Sequence, residues 1–182
     1  AAELHAAVRA GDVERVRVLL KAGVPPSERN SLGSTPLHDA AWAGDLPVMK
    51  ELIDAGADLE AQHKETGSTP LHYAVITNHV NAVRLLLDRG AKVSSAYFSG
   101  STALHLAASR GYIEIAQLLL DRGANVDAAD ASGATPLDEA AWKGQADMVA
   151  LLISQGADVN ARNRETGATA LHEAAAKGHD DV

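Results

Sequence analysis

Histidine is the side chain best suited to metal ligation and to proton transfer near neutral pH, and this chain of 182 residues carries eight. Five of them, His5, His38, His72, His105 and His172, recur on a period of 33 to 34 residues. A group that appears once per structural unit is separated from its copies by the ~8–10 Å between packed helices. Ligands of a single ion must each lie ~2 Å from it, so these histidines do not form a metal site. The other three, His63, His79 and His179, have no partners at ligand spacing. Asp138-Glu139 could serve as a carboxylate pair, but adjacent residues on a helix do not face one another. No glycine-rich phosphate loop follows a strand, and no Gly-x-Ser-x-Gly elbow occurs. Cysteine is absent, which excludes a thiol nucleophile, a disulfide scaffold, a zinc ribbon and an iron–sulfur site. The expectation is a protein with no catalytic constellation, no metal and no cofactor.

The elements that position the histidines repeat with them. Thr35-Pro36-Leu37-His38 returns as Thr69-Pro70-Leu71-His72, Thr102-Ala103-Leu104-His105, Thr135-Pro136-Leu137-Asp138 and Thr169-Ala170-Leu171-His172. A degenerate first copy ends in Glu3-Leu4-His5. Thr caps helices well and Pro suits the first helical position, so each tetrapeptide opens a helix. Leu37, Ala40 and Ala41 form a narrow apolar stripe whose small residues allow close helix approach. Gly44 ends that helix in a left-handed conformation; the equivalent break at Asn78 uses the residue that tolerates it best after glycine. A second helix follows, with Asp45 as its cap and large aliphatics such as Val48, Leu52 and Ile53. Gly56, Gly90, Gly123 and Gly156 close the second helices, and about a dozen polar residues lead to the next copy.

This pattern resembles the ankyrin-repeat family, and the resemblance spans the whole chain. It implies an all-α repeat solenoid of helix-turn-helix units with a β-hairpin loop standing across the helices. About six units are expected, over residues 1–29, 30–62, 63–96, 97–129, 130–162 and a truncated 163–182, all in one domain. The resemblance also implies that the repeated histidine bonds the neighbouring backbone and holds the loop. A core of stacked Leu, Val, Ile and Ala would explain how only six aromatics suffice. Two copies are longer by one residue, at Lys64-Glu65-Thr66-Gly67 and Arg164-Glu165-Thr166-Gly167, which reads as a lengthened turn. The last copy stops at Asp180-Asp181-Val182, before its second helix can bury anything, so the natural chain is expected to continue.

Function must lie in what differs between copies. With the Thr of each tetrapeptide as position six, position ten reads Ala6, Asp39, Tyr73, Leu106, Glu139 and Glu173. Position thirteen reads Arg9, Trp42, Ile76, Ser109, Trp142 and Ala176, and fourteen reads Ala10, Ala43, Thr77, Arg110, Lys143 and Lys177. These positions share one helix face, opposite the apolar stripe; by resemblance that face lines the concave groove. Both tryptophans lie on it, and Tyr97 and Phe98 fall near a loop tip on the same side. Trp42, Tyr73, Ile76, Tyr97, Phe98, Leu106, Arg110, Trp142 and Lys143 are therefore the candidate protein-binding residues. The expected ligand is a protein or peptide with an apolar anchor over repeats two to four and an acidic group at the basic row. The same side chains have a packing role open to them: Trp at position thirteen can lean on the next loop, and Glu139–Lys143 and Glu173–Lys177 can support their helix.

Asp158-Val159-Asn160 after Leu152 is similar to ankyrin sequences in which the hairpin Asn is hydroxylated, so Asn160 is a candidate modification site as well as a plain turn residue. The net charge of −8 argues against a nucleic-acid partner. No apolar run reaches the ~18 residues of a membrane span, and the expectation is an intracellular monomer, cytoplasmic or nuclear. Three readings remain: a free-standing interaction module, the regulatory or targeting part of a larger enzyme, channel or ubiquitin-ligase adaptor, or a steric enzyme inhibitor.

Overall fold

The computed structural model describes residues 2–164 and 166–182. Ala1 and Glu165, the latter part of the second lengthened turn, lie outside the described residues. Two compact units are present, Ala1–Tyr97 and Phe98–Val182. The first holds α1 (Ala2–Arg9), α2 (Val13–Lys21), α3 (Pro36–Ala43), α4 (Leu46–Asp54), α5 (Pro70–Ile76) and α6 (Val80–Asp88). The second holds α7 (Ala103–Arg110), α8 (Ile113–Asp121), α9 (Pro136–Trp142), α10 (Ala146–Ser154) and α11 (Ala170–Ala176). Within the first unit α1, α3 and α5 stack in one layer and α2, α4 and α6 in another; in the second, α7, α9 and α11 form one layer and α8 and α10 the other.

The capping chemistry is that of the sequence motif. Thr35 caps α3, and Gly44 ends it at φ 67° with its N–H on the Ala40 and Ala41 carbonyls. Asn78 adopts φ 59°, the one non-glycine residue with positive φ among the described residues. Asp45 caps α4 by accepting the Val48 N–H. The buried interior repeats as the motif repeats: Leu37, Leu71, Leu104 and Leu137 from the first helices, Leu52, Leu86, Leu119 and Leu152 from the second. The largest fully buried side chains are Leu, Ile, Met and His38, with no Phe, Tyr or Trp among them. Stacking aliphatic layers in one dimension needs no rings.

The loops turn as hairpin tips without building a ladder. The tip at 30–34 is closed by two backbone bonds, from the Asn30 N–H to the Ser34 carbonyl and from the Gly33 N–H to the Asn30 carbonyl, and the tip at 130–134 by the equivalent pair, from Asp130 to Ala134 and from Gly133 to Asp130, all at 2.9 Å. In the longer copies the corresponding bonds run from His63 to Ser68 and from Asn163 to Ala168, so the extra residue is absorbed inside the turn. Neighbouring loops share single backbone bonds, Lys64 N–H to Leu32 and Ala131 N–H to Ser99. That is too little pairing for a ladder, and no strand forms among the described residues.

Candidate binding surface

The histidines come first, since they set the loops against the helices. His38 Nδ1 accepts the Thr35 N–H at 3.1 Å, and Nε2 donates to the Ser68 carbonyl at 3.0 Å. His72 does the same with Thr69 and Ser95, and His105 with Thr102 and Ala134. Burial pushes all three below the ordinary imidazole value, His72 to about 4. Each ring is a neutral strut between a helix start and the next loop. No group of three His, Asp or Glu among the described residues could hold a metal ion.

In the first unit, Trp42 ends α3 with 53% of its surface exposed. Its ring meets Tyr73 edge to face at 5.7 Å, and Tyr73 in turn meets the buried His38 at 4.9 Å. The rings therefore run from the core strut outward to solvent. Tyr73 is half-buried in this row, and Ile76 is half-buried at the end of α5. Tyr97 stacks on His72, ring centroids 4.6 Å apart. It packs against a strut rather than standing free at a loop tip.

In the second unit, Phe98 is 63% exposed, Leu106 is half-buried on α7, and Arg110 is exposed in its last turn. Trp142 ends α9 with 44% exposure. Two lysines lie over its ring, Lys143 at 5.4 Å and Lys177 at 4.6 Å from the centroid. Asn160 is exposed in the loop after α10, its N–H on the Asp158 carboxylate at 2.9 Å.

The second unit also holds a cavity of about 470 Å³ between α9 and α11, with Asp138, Glu139, Trp142, Asn163, Glu173 and Lys177 in its wall. Neighbours along a helix point apart, yet Asp138 and Glu139 both reach this space. Asp138 is buried, and its Oδ2 accepts the Thr135 N–H at 2.9 Å and the Thr135 hydroxyl at 3.1 Å. Burial, with Asp130 next, raises the Glu139 carboxyl above the usual range, against the pull of Lys143. Burial and then Asp138 raise Glu173. The signal in the sequence was the single Asp in the histidine column.

Stacked helix pairs, loops strutted by neutral histidines and solvent-facing rings at recurrent positions define an all-α repeat protein that presents a surface. The family model for ankyrin repeats, in three copies, matches residues 4–97 and 95–163. The chain belongs to the ankyrin-repeat family. It is 39% identical over 64 residues to protein phosphatase 1 regulatory subunit 27 of Homo sapiens, covering 35% of this chain and 42% of that protein. It is 40% identical over 55 residues to acyl-CoA-binding domain-containing protein 2 of Arabidopsis thaliana, 30% of this chain and 16% of that one. A third relative, the E3 ubiquitin-protein ligase KEG of Arabidopsis thaliana, is 40% identical over 62 residues, 34% of this chain and 4% of the ligase. The matched stretches thus cover less than half of each of these relatives. Ankyrin repeats are protein-interaction modules, and no helix among the described residues is long and apolar enough to cross a membrane.

Proposed function

We propose that this chain is a non-catalytic protein-binding module that works through the face carrying repeat positions ten, thirteen and fourteen. In the first unit Trp42, Tyr73, Ile76 and Tyr97 supply the contact, and in the second Phe98, Leu106, Arg110, Trp142 and Lys143. The observation that carries this reading is the contrast between an interior with no Phe, Tyr or Trp among its largest fully buried side chains and two tryptophans left 53% and 44% exposed at one repeat position. Exposed aromatic side chains on a rigid scaffold are the usual anchors of a binding patch, because they cover area at low entropic cost.

The short shares of the relatives, 4% of a ubiquitin ligase and 42% of a phosphatase regulatory subunit, favour a second reading. In it the same face serves as the targeting or regulatory part of a larger protein. Both readings are tested by a quantitative pull-down with Trp42→Ala plus Trp142→Ala beside the unmodified chain, with a thermal melt of each. Loss of captured protein at unchanged Tm supports the face as the binding surface. Equal capture, or a Tm that collapses with both rings gone, assigns the rings to packing instead.

A further inference from the structure

The cavity of the second unit names a chemistry for the partner. Three carboxylates, Asp138, Glu139 and Glu173, share its wall with the ring of Trp142. The ring already attracts cations: two ammonium groups of the chain itself lie over it, and Lys177, at 4.6 Å, lines the cavity as well. Three carboxylates face one lysine in that wall, and burial first, then neighbouring carboxylates, raise Glu139 and Glu173 against the pull of Lys143 and Lys177. No three carboxylates or histidines among the described residues are close enough for a metal ion. The site thus suits a cation larger than a metal, one that can lie flat on an indole and reach carboxylates on two helices. A guanidinium does both, being planar, weakly hydrated and equipped with a fork of donors.

We propose that this cavity receives an arginine side chain of a partner protein, stacked on Trp142 and paired with Glu139 and Glu173. Lys177 then acts as the resident cation that the arginine displaces. It caps α11 at its exposed end, so it swings out to solvent at little cost. The proposal rests on the protein-binding reading and deepens it: the second unit selects a basic group, where the sequence alone pointed to an acidic one.

The test uses the full chain with Trp42→Phe, so that Trp142 is the single indole. Its side-chain N–H resonance is followed by NMR while the capped peptide acetyl-Gly-Arg-Gly-amide is added. A saturable shift is expected, weakened ~5–10-fold by Glu139→Gln plus Glu173→Gln, the scale of two partly exposed charge pairs. Lys177→Ala should strengthen it, and the citrulline peptide, isosteric but neutral, should bind more weakly. The proposal is overturned by no saturable shift, by equal response to citrulline, or by tighter binding of the acetyl-Gly-Glu-Gly-amide control. An unchanged spectrum outside the cavity shows that each variant is folded. A silent arginine peptide together with partner loss in Trp42→Ala rejects the arginine site and leaves the binding module standing.

Discussion

His72 couples the fold to pH with a sign and a size that can be worked out. The ring is fully buried, with Nδ1 on the Thr69 N–H at 2.9 Å and Nε2 on the Ser95 carbonyl at 3.0 Å. Protonation would place a charge out of reach of water and turn a second N–H toward a backbone donor. Burial lowers its pKa from 6.5 to about 4, with the Ser95 bond opposing. Between those values the unfolded chain holds a proton that the folded chain does not, so stability rises with pH. The contribution is complete above 6.5, shrinks as pH falls through the window, and is flat again below about 4. At ~1.4 kcal/mol per pH unit the full window is worth ~3 kcal/mol. His72→Gln keeps an acceptor for Thr69 and a donor for Ser95 but does not titrate. Urea unfolding of both proteins from pH 4 to 7.5 gives the difference directly, because His38, His105 and all carboxylates cancel in it. The wild-type advantage should grow by ~3 kcal/mol from the acid to the neutral end. A constant difference, or a His72 ring resonance that titrates near 6.5, would refute the burial argument.

Glu139 carries the opposite sign. Its carboxyl is raised above 4.5, so the folded state gives up that proton reluctantly and loses stability as pH rises through the window. Glu139→Gln should therefore raise Tm at pH 7 and leave it unchanged at pH 4, as read by melts at the two values. Gly44→Ala should destabilise more than Gly56→Ala in chemical denaturation. Both have positive φ, worth ~1–2 kcal/mol to any L side chain, but a Cβ at Gly44 meets the His79 ring at 2.5 Å while at Gly56 nothing lies within 4 Å. Asp138→His should place a strut against the loop of repeat six, raise stability by ~1 kcal/mol and abolish the arginine-peptide shift of Trp142; a lower Tm would show that this loop offers the ring no acceptor.

The elements were legible in the sequence because each copy solves the same local problem with the same residues. Thr, Pro and Gly mark helix ends through capping and backbone geometry, which act over three or four residues, and α3 and α4 begin and end where those residues stand. Leu and Ala at fixed positions then dictate the aliphatic interior. The loops were less legible, since whether a turn extends into a β ladder depends on bonds to the next loop, and only one forms per junction described. Trp42, Tyr73, Ile76, Leu106, Arg110 and Trp142 stand on the first helices of their repeats, as the register implies, but their surroundings were not foreseeable. Tyr73 is wedged between a buried imidazole and Trp42, Tyr97 lies on His72, and Lys143 and Lys177 turn to Trp142. All but the Lys143 contact are rotamer choices made by side chains from different repeats, with no trace in spacing.

In a repeat protein the column that never varies is structural and the single exception in it is informative. The histidine column shows why. At His38, His72 and His105 the ring both caps its own helix and donates to the following loop. At Asp138 the carboxylate keeps the first task, holding the Thr135 N–H at 2.9 Å, but a carboxylate has no proton for the second. The cavity beside Trp142 lies between this carboxylate and the loop that follows. One residue thus keeps the helix-capping bond and places a buried carboxyl group in a cavity next to an exposed indole. A carboxyl group beside an indole is the pairing that the proposed arginine site requires.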